Sequence, residues 1–172
     1  ANQNSYRNIR LNTSVSPAIE YNIFPWEELD KRVFTIAYYI GPAYFSFYER
    51  TLFDEISRLY WHHRLNIDLE KMEDWGKLNI HIRAEQYLPE IEHFAFSAGG
   101  GMSVRVTKGL FINVSIWAEK INNQIYLPAG ELSNQDLLLN TRQLPTSFEL
   151  SGRIGVRYQF GSIYNNVVNL RL

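Results

Sequence analysis

The sequence predicts an all-β protein, an antiparallel up-and-down transmembrane β-barrel. Three observations lead to this fold class. Apolar and polar residues alternate along segments that are longer than ordinary strands. One face of these segments is apolar and the other carries full charges, which suits a barrel wall between lipid and a polar lumen. Aromatic residues make up 15% of the chain, and aromatic residues form girdles at both rims of membrane barrels.

Composition narrows the function classes. The 172 residues carry a net charge of −1 and no basic cluster, which argues against nucleic-acid binding. The chain has no cysteine, so a disulfide framework and a thiolate metal site are excluded. Its longest uncharged run, Val33 to Tyr48, is shorter than the roughly 18 residues that a transmembrane helix needs. We therefore expect a single domain without a metal, a cofactor or a nucleic-acid partner.

The segment from Arg58 to Leu88 gives the clearest signal. Two arms of alternating residues flank a short turn at Glu73 to Gly76, and this pattern is typical of a β-hairpin. The apolar positions of the two arms are Leu59, Trp61, Leu65, Ile67, Leu69, Leu78, Ile80, Ile82 and Ala84.

The charges predict the register of this hairpin. A turn centred on Asp74 and Trp75 places Asp68 opposite His81. It also places Arg64 opposite Glu85. Opposite charges that face each other across two strands contribute about 0.2–1 kcal/mol per pair. A slip of two residues would instead set Arg64 against Arg83, which is repulsive. We therefore expect the first register.

Five further segments bring the count to seven strands. They are Asn8 to Ile23, Arg32 to Tyr48, Glu92 to Val106, Leu110 to about Leu127, and Thr146 to Phe160. Gly41-Pro42 marks a bulge or bend in the second of these, because proline cannot donate to a ladder. A tight turn at Lys108 brings Trp117 beside Gly99, where its ring covers the missing side chain.

The connections differ in length and predict an orientation. Short turns follow the third and fifth strands, and the longest connection, Pro128 to Pro145, follows the sixth, with Ser133 as the cap of a short helix. Short turns are periplasmic in outer-membrane barrels and long loops are extracellular. Because single-chain bacterial barrels have an even number of strands, we expect at least one strand upstream. The alternative is a complete eight-stranded barrel whose last strand is Asn165 to Leu172.

Three stretches carry a resemblance to a known family. They read IEYNIFPWEE (Ile19 to Glu28), NNQIYLPAGE (Asn122 to Glu131) and FGSIYNNVVNLRL (Phe160 to Leu172). The chain resembles a Gram-negative outer-membrane β-barrel family that ends in an FGSI(Y/F)NNVVNPRF-like motif. It departs from that ending at Leu170 and Leu172, where the family has Pro and Phe.

The resemblance implies a fold but no defined activity. It implies a soluble N-terminal segment and further strands upstream, so that this chain is the C-terminal part of a barrel of roughly ten strands. Residues 161–172 are then a periplasmic tail or a short last strand. The implied location is the cell outer membrane.

Charged residues on the inner face form the first candidate site. They either line a polar pore or fill a narrow lumen as a plug of ion pairs, and the balance of Arg against Glu favours the plug. This lumen charge network comprises Arg64, Asp68, His81, Arg83, Glu85, Arg105, Glu149, Arg153 and Arg157.

Aromatic residues near the predicted turns form the second candidate site. We expect Trp26, Trp61, Trp75 and Tyr158 to be membrane-interface anchors. His62 and His63 cannot share a metal ion, because adjacent strand residues point to opposite faces.

Three functions follow from these residues. The first is a structural or scaffold barrel, or one of limited permeation, with outer-membrane lipid and other outer-membrane or periplasmic proteins as partners. The second is a soluble ligand-binding barrel of lipocalin type, because alternation does not say which face is outside. The third is an outer-membrane hydrolase that uses the His81–Asp68 dyad with Ser97 or Ser103 one strand away; we expect no enzyme.

Overall fold

The computed structural model describes residues 2–130 and 146–160. Within these ranges the chain forms nine strands, one 3₁₀ turn (Trp26–Glu28) and no α-helix. None of the described residues belongs to a helix with the length and apolar character to cross a membrane. The strands are β1 (Asn2–Asn4), β2 (Ile9–Ser14), β3 (Ala18–Asn22), β4 (Arg32–Phe47), β5 (Ser57–Glu73), β6 (Gly76–Leu88), β7 (Phe94–Thr107), β8 (Leu110–Ile121) and β9 (Phe148–Tyr158).

All nine strands belong to one antiparallel sheet. Its order is β1-β2-β4-β5-β6-β7-β8-β9, and β3 pairs with β4 beside β2. From β4 onwards each strand pairs with the next along the chain, so the all-β, up-and-down antiparallel prediction is confirmed. The described strands do not close the sheet into a barrel, and no described strand pairs with the far edge of β9.

The sheet has two unlike ends. One, here called the turn end, carries the tight turns β5–β6 and β7–β8 and the connection 23–31. The other, here called the loop end, carries the connections 48–56, 89–93 and 122–147. The predicted helix cap at Ser133 and the predicted tail at 161–172 lie outside the described residues.

The predicted registers are confirmed. Asp68 pairs with His81, and Arg64 pairs with Glu85. Trp117 pairs with Gly99, and a Cβ built on Gly99 would overlap with the indole ring. The ring therefore occupies the volume that a side chain at this glycine would need.

The first predicted strand is interrupted. Of the bulge or bend predicted at Gly41-Pro42, the bulge is absent from the pairing of β4 with β5, and the bend stays a prediction. β4 pairs with β5 without a break, while the strand beside it divides into β2 and β3 at residues 15–17. Two prolines face this point. Val15 N donates to Pro42 O at 3.1 Å and Ile40 N donates to Pro17 O at 3.2 Å, but neither proline has an N–H for the return bond.

The short strand β1 was not predicted. Its three residues are too few to show alternation, yet Asn2 pairs with Asn12 and Asn4 with Ile9. The sheet therefore has eight strand positions instead of seven. A register shift between Ile9 and Leu11 also turns the Ile9 side chain into the core, whereas the alternation placed it on the outer face.

The core lies on one face of the sheet at the loop end. Strand β8 ends at Ile121, six residues before its predicted end, and the chain then turns back over this face. Ile125 is 1% exposed as a result. The segment is held by Leu52 N donating to Leu127 O and by Ala129 N donating to Arg50 O, both at 2.8 Å. The buried cluster comprises Ile9, Ala43, Phe45, Phe47, Tyr60 and Ile125, with Tyr87 and Tyr126 against it.

This cluster defines the inner face, and alternation assigns the other side chains. The outer face carries the apolar rows of the predicted hairpin and of β8 and β9. Leu65, Ile80, Val114 and Ile154 lie there, 37% to 78% exposed. The inner face carries Arg64, Asp68 and the other predicted lumen residues, because each lies an odd number of positions from an outward neighbour.

Candidate functional site

The polar part of the inner face lies in the turn-end half of the sheet. Five rows of paired residues cross β7, β8 and β9 there, and each row places one residue of each strand on the inner face. From the turn end they read Arg105–Phe111–Arg157, Ser103–Asn113–Gly155, Gly101–Ser115–Arg153, Gly99–Trp117–Ser151 and Ser97–Glu119–Glu149. Strand β6 continues these rows with Lys77, Asn79, His81 and Arg83.

Asp68 and His81 form the closest charged contact predicted from the sequence. The Nδ1 atom of His81 lies 2.6 Å from Oδ1 of Asp68, and Nε2 lies 3.0 Å from Nδ2 of Asn79. In the neutral imidazole, Nδ1–H donates to the carboxylate and Nε2 accepts from the Asn79 amide. Both Asp68 and His81 side chains are 40% exposed, so this pair is hydrated.

The arrangement of His81 does not resemble an assembled hydrolase site. Its two ring nitrogens contact Asp68 and Asn79, and no described serine or threonine hydroxyl bonds to either. Ser97 is buried and pairs across the sheet with Arg83, one row away. A nucleophile activated by this imidazole would need a hydrogen bond to Nε2, which the Asn79 side chain occupies.

The predicted charge network is only partly joined. Among the nine predicted residues, the described structure shows one direct pair, Asp68–His81. The guanidinium of Arg64 instead lies 4.3 Å from the ring centroid of Tyr39. Those of Arg105 and Arg157 lie 5.7 and 4.6 Å from the ring centroid of Phe111.

The register explains why an extensive plug of ion pairs does not form among these residues. Phe111 stands between Arg105 and Arg157, and Arg153 faces a serine. Glu149 pairs with Glu119, so two like charges stand side by side. Charge balance over the whole face was visible in the sequence, but the pairing of particular charges depends on the rows.

Ion pairs that the sequence analysis missed lie around this network and at the loop end. Lys77 Nζ is 2.7 Å from Glu70 Oε2 on the inner face. At the loop end Arg58 bridges Glu55 and Glu90. Burial of Glu90 is the largest single influence on its pKa and raises it, but the hydrogen bond and the charge of Arg58, together with a backbone hydrogen bond, outweigh burial and lower the pKa of the carboxyl below its usual range. The spacing of Glu55 and Arg58 was the only signal available beforehand.

A pocket of about 280 Å³ adjoins the His81 pair. It exists because β7 contributes only glycine at residues 99–101, so that no side chain fills the space between β6 and β8. The side chains around it belong to Asn79, His81, Ser115, Trp117, Ser151 and Arg153.

The two adjacent histidines point to opposite faces, as predicted. His62 faces inward, with Nδ1 3.1 Å from Gly41 O and Nε2 3.2 Å from Ser16 Oγ at the break between β2 and β3. His63 faces outward, and its ring contacts the Tyr38 hydroxyl and Gln86 Oε1. The described residues contain no group of three or more His, Cys, Asp or Glu that would hold a metal ion.

The predicted rim aromatics are exposed at two levels of the sheet. Trp26 and Trp75 lie in turn-end connections, and Tyr158 lies at the turn end of β9. The ring of Tyr158 is edge-on to that of Phe160, with 4.5 Å between the ring centroids. Trp61 lies near the loop end, where it pairs with Pro42 and Leu88. These positions fit two rims separated by the apolar rows.

Comparisons with protein families, with curated proteins and with solved structures find no match to this chain. The fold class therefore rests on the strand pattern and its pairing. The function has to be inferred from the chemistry of the two faces of the sheet.

Proposed function

We propose that this chain forms the wall of a transmembrane β-barrel in a bacterial outer membrane, with a structural or scaffold role and at most limited permeation. The exposed apolar outer face carries this proposal. Soluble monomers rarely expose contiguous apolar patches of more than a few hundred Å². Here the exposed apolar rows extend over five neighbouring strands, with Leu65, Ile80, Phe96, Val114 and Ile154 as examples.

The height of the apolar band supports the same proposal. On β5 the outward residues from Leu59 to Leu69 span ten residue steps, or about 33 Å along the strand. At a strand tilt near 40° this corresponds to about 25 Å, the height of the apolar band in outer-membrane barrels. His63 is the polar residue in this row, and its bonds to Tyr38 and Gln86 reduce the cost of placing it near lipid.

The limited permeation follows from the loop end. The segment 122–130 lies across the inner face, and its Ile125 side chain packs into the aromatic cluster. The amide of Asn8 ties this segment to the neighbouring loop by donating to Tyr126 O at 3.1 Å and Glu49 O at 2.9 Å. A lumen covered in this way is narrow at the loop end and wider at the turn end.

Lipid quenching of tryptophan fluorescence tests the membrane location. Variants that each keep one of the four tryptophans are reconstituted into vesicles with brominated acyl chains. We expect the bromines to quench Trp61, Trp26 and Trp75, because these face the lipid or its interface, and to leave Trp117 nearly unchanged because it faces inward. A chain that stays monodisperse in detergent-free buffer and shows no quenching would favour a soluble ligand-binding barrel.

Conductance in planar bilayers tests the limited permeation. We expect small or no currents from the wild-type chain. Replacement of Ile125 by Asn should loosen the covering segment and increase the current, whereas Ile116→Asn on the outer face should not. Large steady currents from the wild type would contradict a covered lumen.

A further inference from the structure

We propose that the turn-end half of the inner face binds small anions of the carboxylate or phosphate class, with Arg153 as the central cation. The site is defined by the rows of β7, β8 and β9 described above. This inference rests on the proposed function in one respect: it takes the inner face as the lumen of the proposed barrel. The residue contacts that support it lie within the described sheet.

The charges of these rows are unbalanced. Arg105, Arg153 and Arg157 all point to the inner face, and the first four rows on β7–β9 contain no carboxylate. The nearest acids on β5, Asp68 and Glu70, are already in contact with His81 and Lys77. The described structure shows no salt bridge to any of the three arginines.

The environment of the arginines leaves their N–H groups available. Arg105 and Arg157 lie against Phe111, and a ring face attracts a guanidinium without accepting its hydrogen bonds in the plane. Arg153 pairs with Ser115, whose neutral hydroxyl cannot balance the charge of the guanidinium. A planar guanidinium with free N–H groups binds carboxylates and phosphates in a bidentate manner.

The pocket beside Arg153 supplies further donors. Hydroxyls of Ser115 and Ser151 and the amide of Asn79 line the same space of about 280 Å³. This volume is large enough for a small hydrated anion. Trp117 forms one wall, because its ring lies over Gly99. Positive charge together with neutral donors around a small cavity points to an anion.

The position of Trp117 allows a direct test. All four tryptophans lie in the described residues, and Trp117 alone lies on the inner face of a strand. Replacing Trp26, Trp61 and Trp75 by Phe leaves a single reporter at the site. The full chain is then studied in neutral detergent at low ionic strength, with iodide as an anionic quencher and caesium as a cationic one.

We expect iodide to quench Trp117 about sevenfold more strongly than caesium, each measured relative to its quenching of free tryptophan, since a potential of one kT concentrates a monovalent anion and depletes a monovalent cation by about 2.7-fold each. Arg153→Gln should bring the ratio close to one, and Arg153→Lys should retain most of it. Arg10→Gln is the matched control and should leave the ratio unchanged, because Arg10 is exposed on β2, a strand that pairs with none of β7, β8 and β9. An unchanged circular dichroism spectrum establishes that each variant is folded.

Competition identifies the anion class. Inorganic phosphate and succinate should protect Trp117 from iodide, and glucose at the same concentration should not. Equal quenching by iodide and caesium, an unchanged ratio in Arg153→Gln, or protection by glucose alone would overturn the proposal. Because lipid quenching reports on the outer face and iodide quenching on the inner face, failure of the membrane proposal and failure of this one are distinguishable.

Discussion

The two halves of the inner face are built by different means. In the loop-end half, aromatic side chains pack on one another, with Phe45 edge-on to Tyr87 at 5.8 Å and to Tyr60 at 6.1 Å. A separate segment of the chain, around Ile125, completes this cluster. In the turn-end half, polar side chains meet because the strand register places them opposite each other, as it does Asp68 and His81.

This difference separates the half of the inner face that stabilises the fold from the half that can bind solutes. Burial of large apolar side chains contributes several kcal/mol each, whereas partly exposed ion pairs contribute about 1 kcal/mol or less. The loop-end half should therefore stabilise the fold, and in the proposed barrel it would narrow the lumen. The turn-end half contributes less to stability and remains open to solutes.

The largest expected effect on stability comes from a substitution in the loop-end cluster. Phe45→Ala should lower the free energy of unfolding by about 3–5 kcal/mol, because the side chain is 2% exposed and its removal leaves a cavity. Phe96→Ala is the matched control, since Phe96 lies on the outer face and is half exposed. Urea unfolding in detergent, followed by circular dichroism, measures both. Equal losses would mean that the two faces are equally packed.

The next effect tests the break between β2 and β3. A Cβ at Gly41, built at its ideal position, would overlap with Val15 O. Gly41→Ala should therefore cost about 1–3 kcal/mol. Gly155→Ala is the control, because no atom lies within 4 Å of the added methyl group. A neutral Gly41→Ala would show that the strand can shift at no cost.

A smaller effect on stability is expected from the Asp68–His81 pair in the turn-end half. A double-mutant cycle with Asp68→Asn and His81→Gln should give a coupling energy of about 0.5–1 kcal/mol, because both side chains are partly exposed and screened by solvent. The unfolding free energies of the four proteins provide this value. A coupling energy above about 3 kcal/mol would place this pair among buried ones and contradict the comparison.

The smallest effect concerns pH and the loop-end ion pair. The pKa of Glu90 is lowered in the folded chain, since the hydrogen bond and the charge of Arg58, together with a backbone hydrogen bond, outweigh the effect of burial. This pair therefore stabilises the fold above the unfolded carboxyl pKa of about 4.3, and its contribution is lost as the pH falls through the lower folded value. Glu90→Gln should make stability less dependent on pH below about 4. If stability below about pH 4 depended on pH equally in Glu90→Gln and in the wild type, Arg58 would not favour the ionised form of the Glu90 carboxyl.

Much of the sheet was predictable because alternation and charge act locally. The register of β5 and β6 follows from the charges of Asp68 and Arg64, and that of β7 and β8 from the short turn before Trp117. The unpredicted features have two causes. Strand β1 is too short to show alternation, and Ile9 turns inward because of a register shift against the distant strand β4 that no local pattern shows.

The candidate site divides in the same way. The sequence was sufficient to identify Arg153 and Arg157 as inner-face cations, since two-residue periodicity assigns faces along a strand. It was not sufficient to show that Arg157 stands beside Phe111 and Glu149 beside Glu119, because the partners of a charge depend on the rows formed by neighbouring strands.

By itself, the amino-acid sequence determined the alternation of the strands, their order and the identity of the apolar face. These properties depend on the period of an extended chain and on short turns, which neighbouring residues control. Only the tertiary structure decided that residues 122–130 cover the loop end and that no carboxylate among the described residues forms a salt bridge with the arginines of β7–β9. Both depend on which segments meet across the sheet, and burial and pairing over such distances leave no local pattern in the sequence.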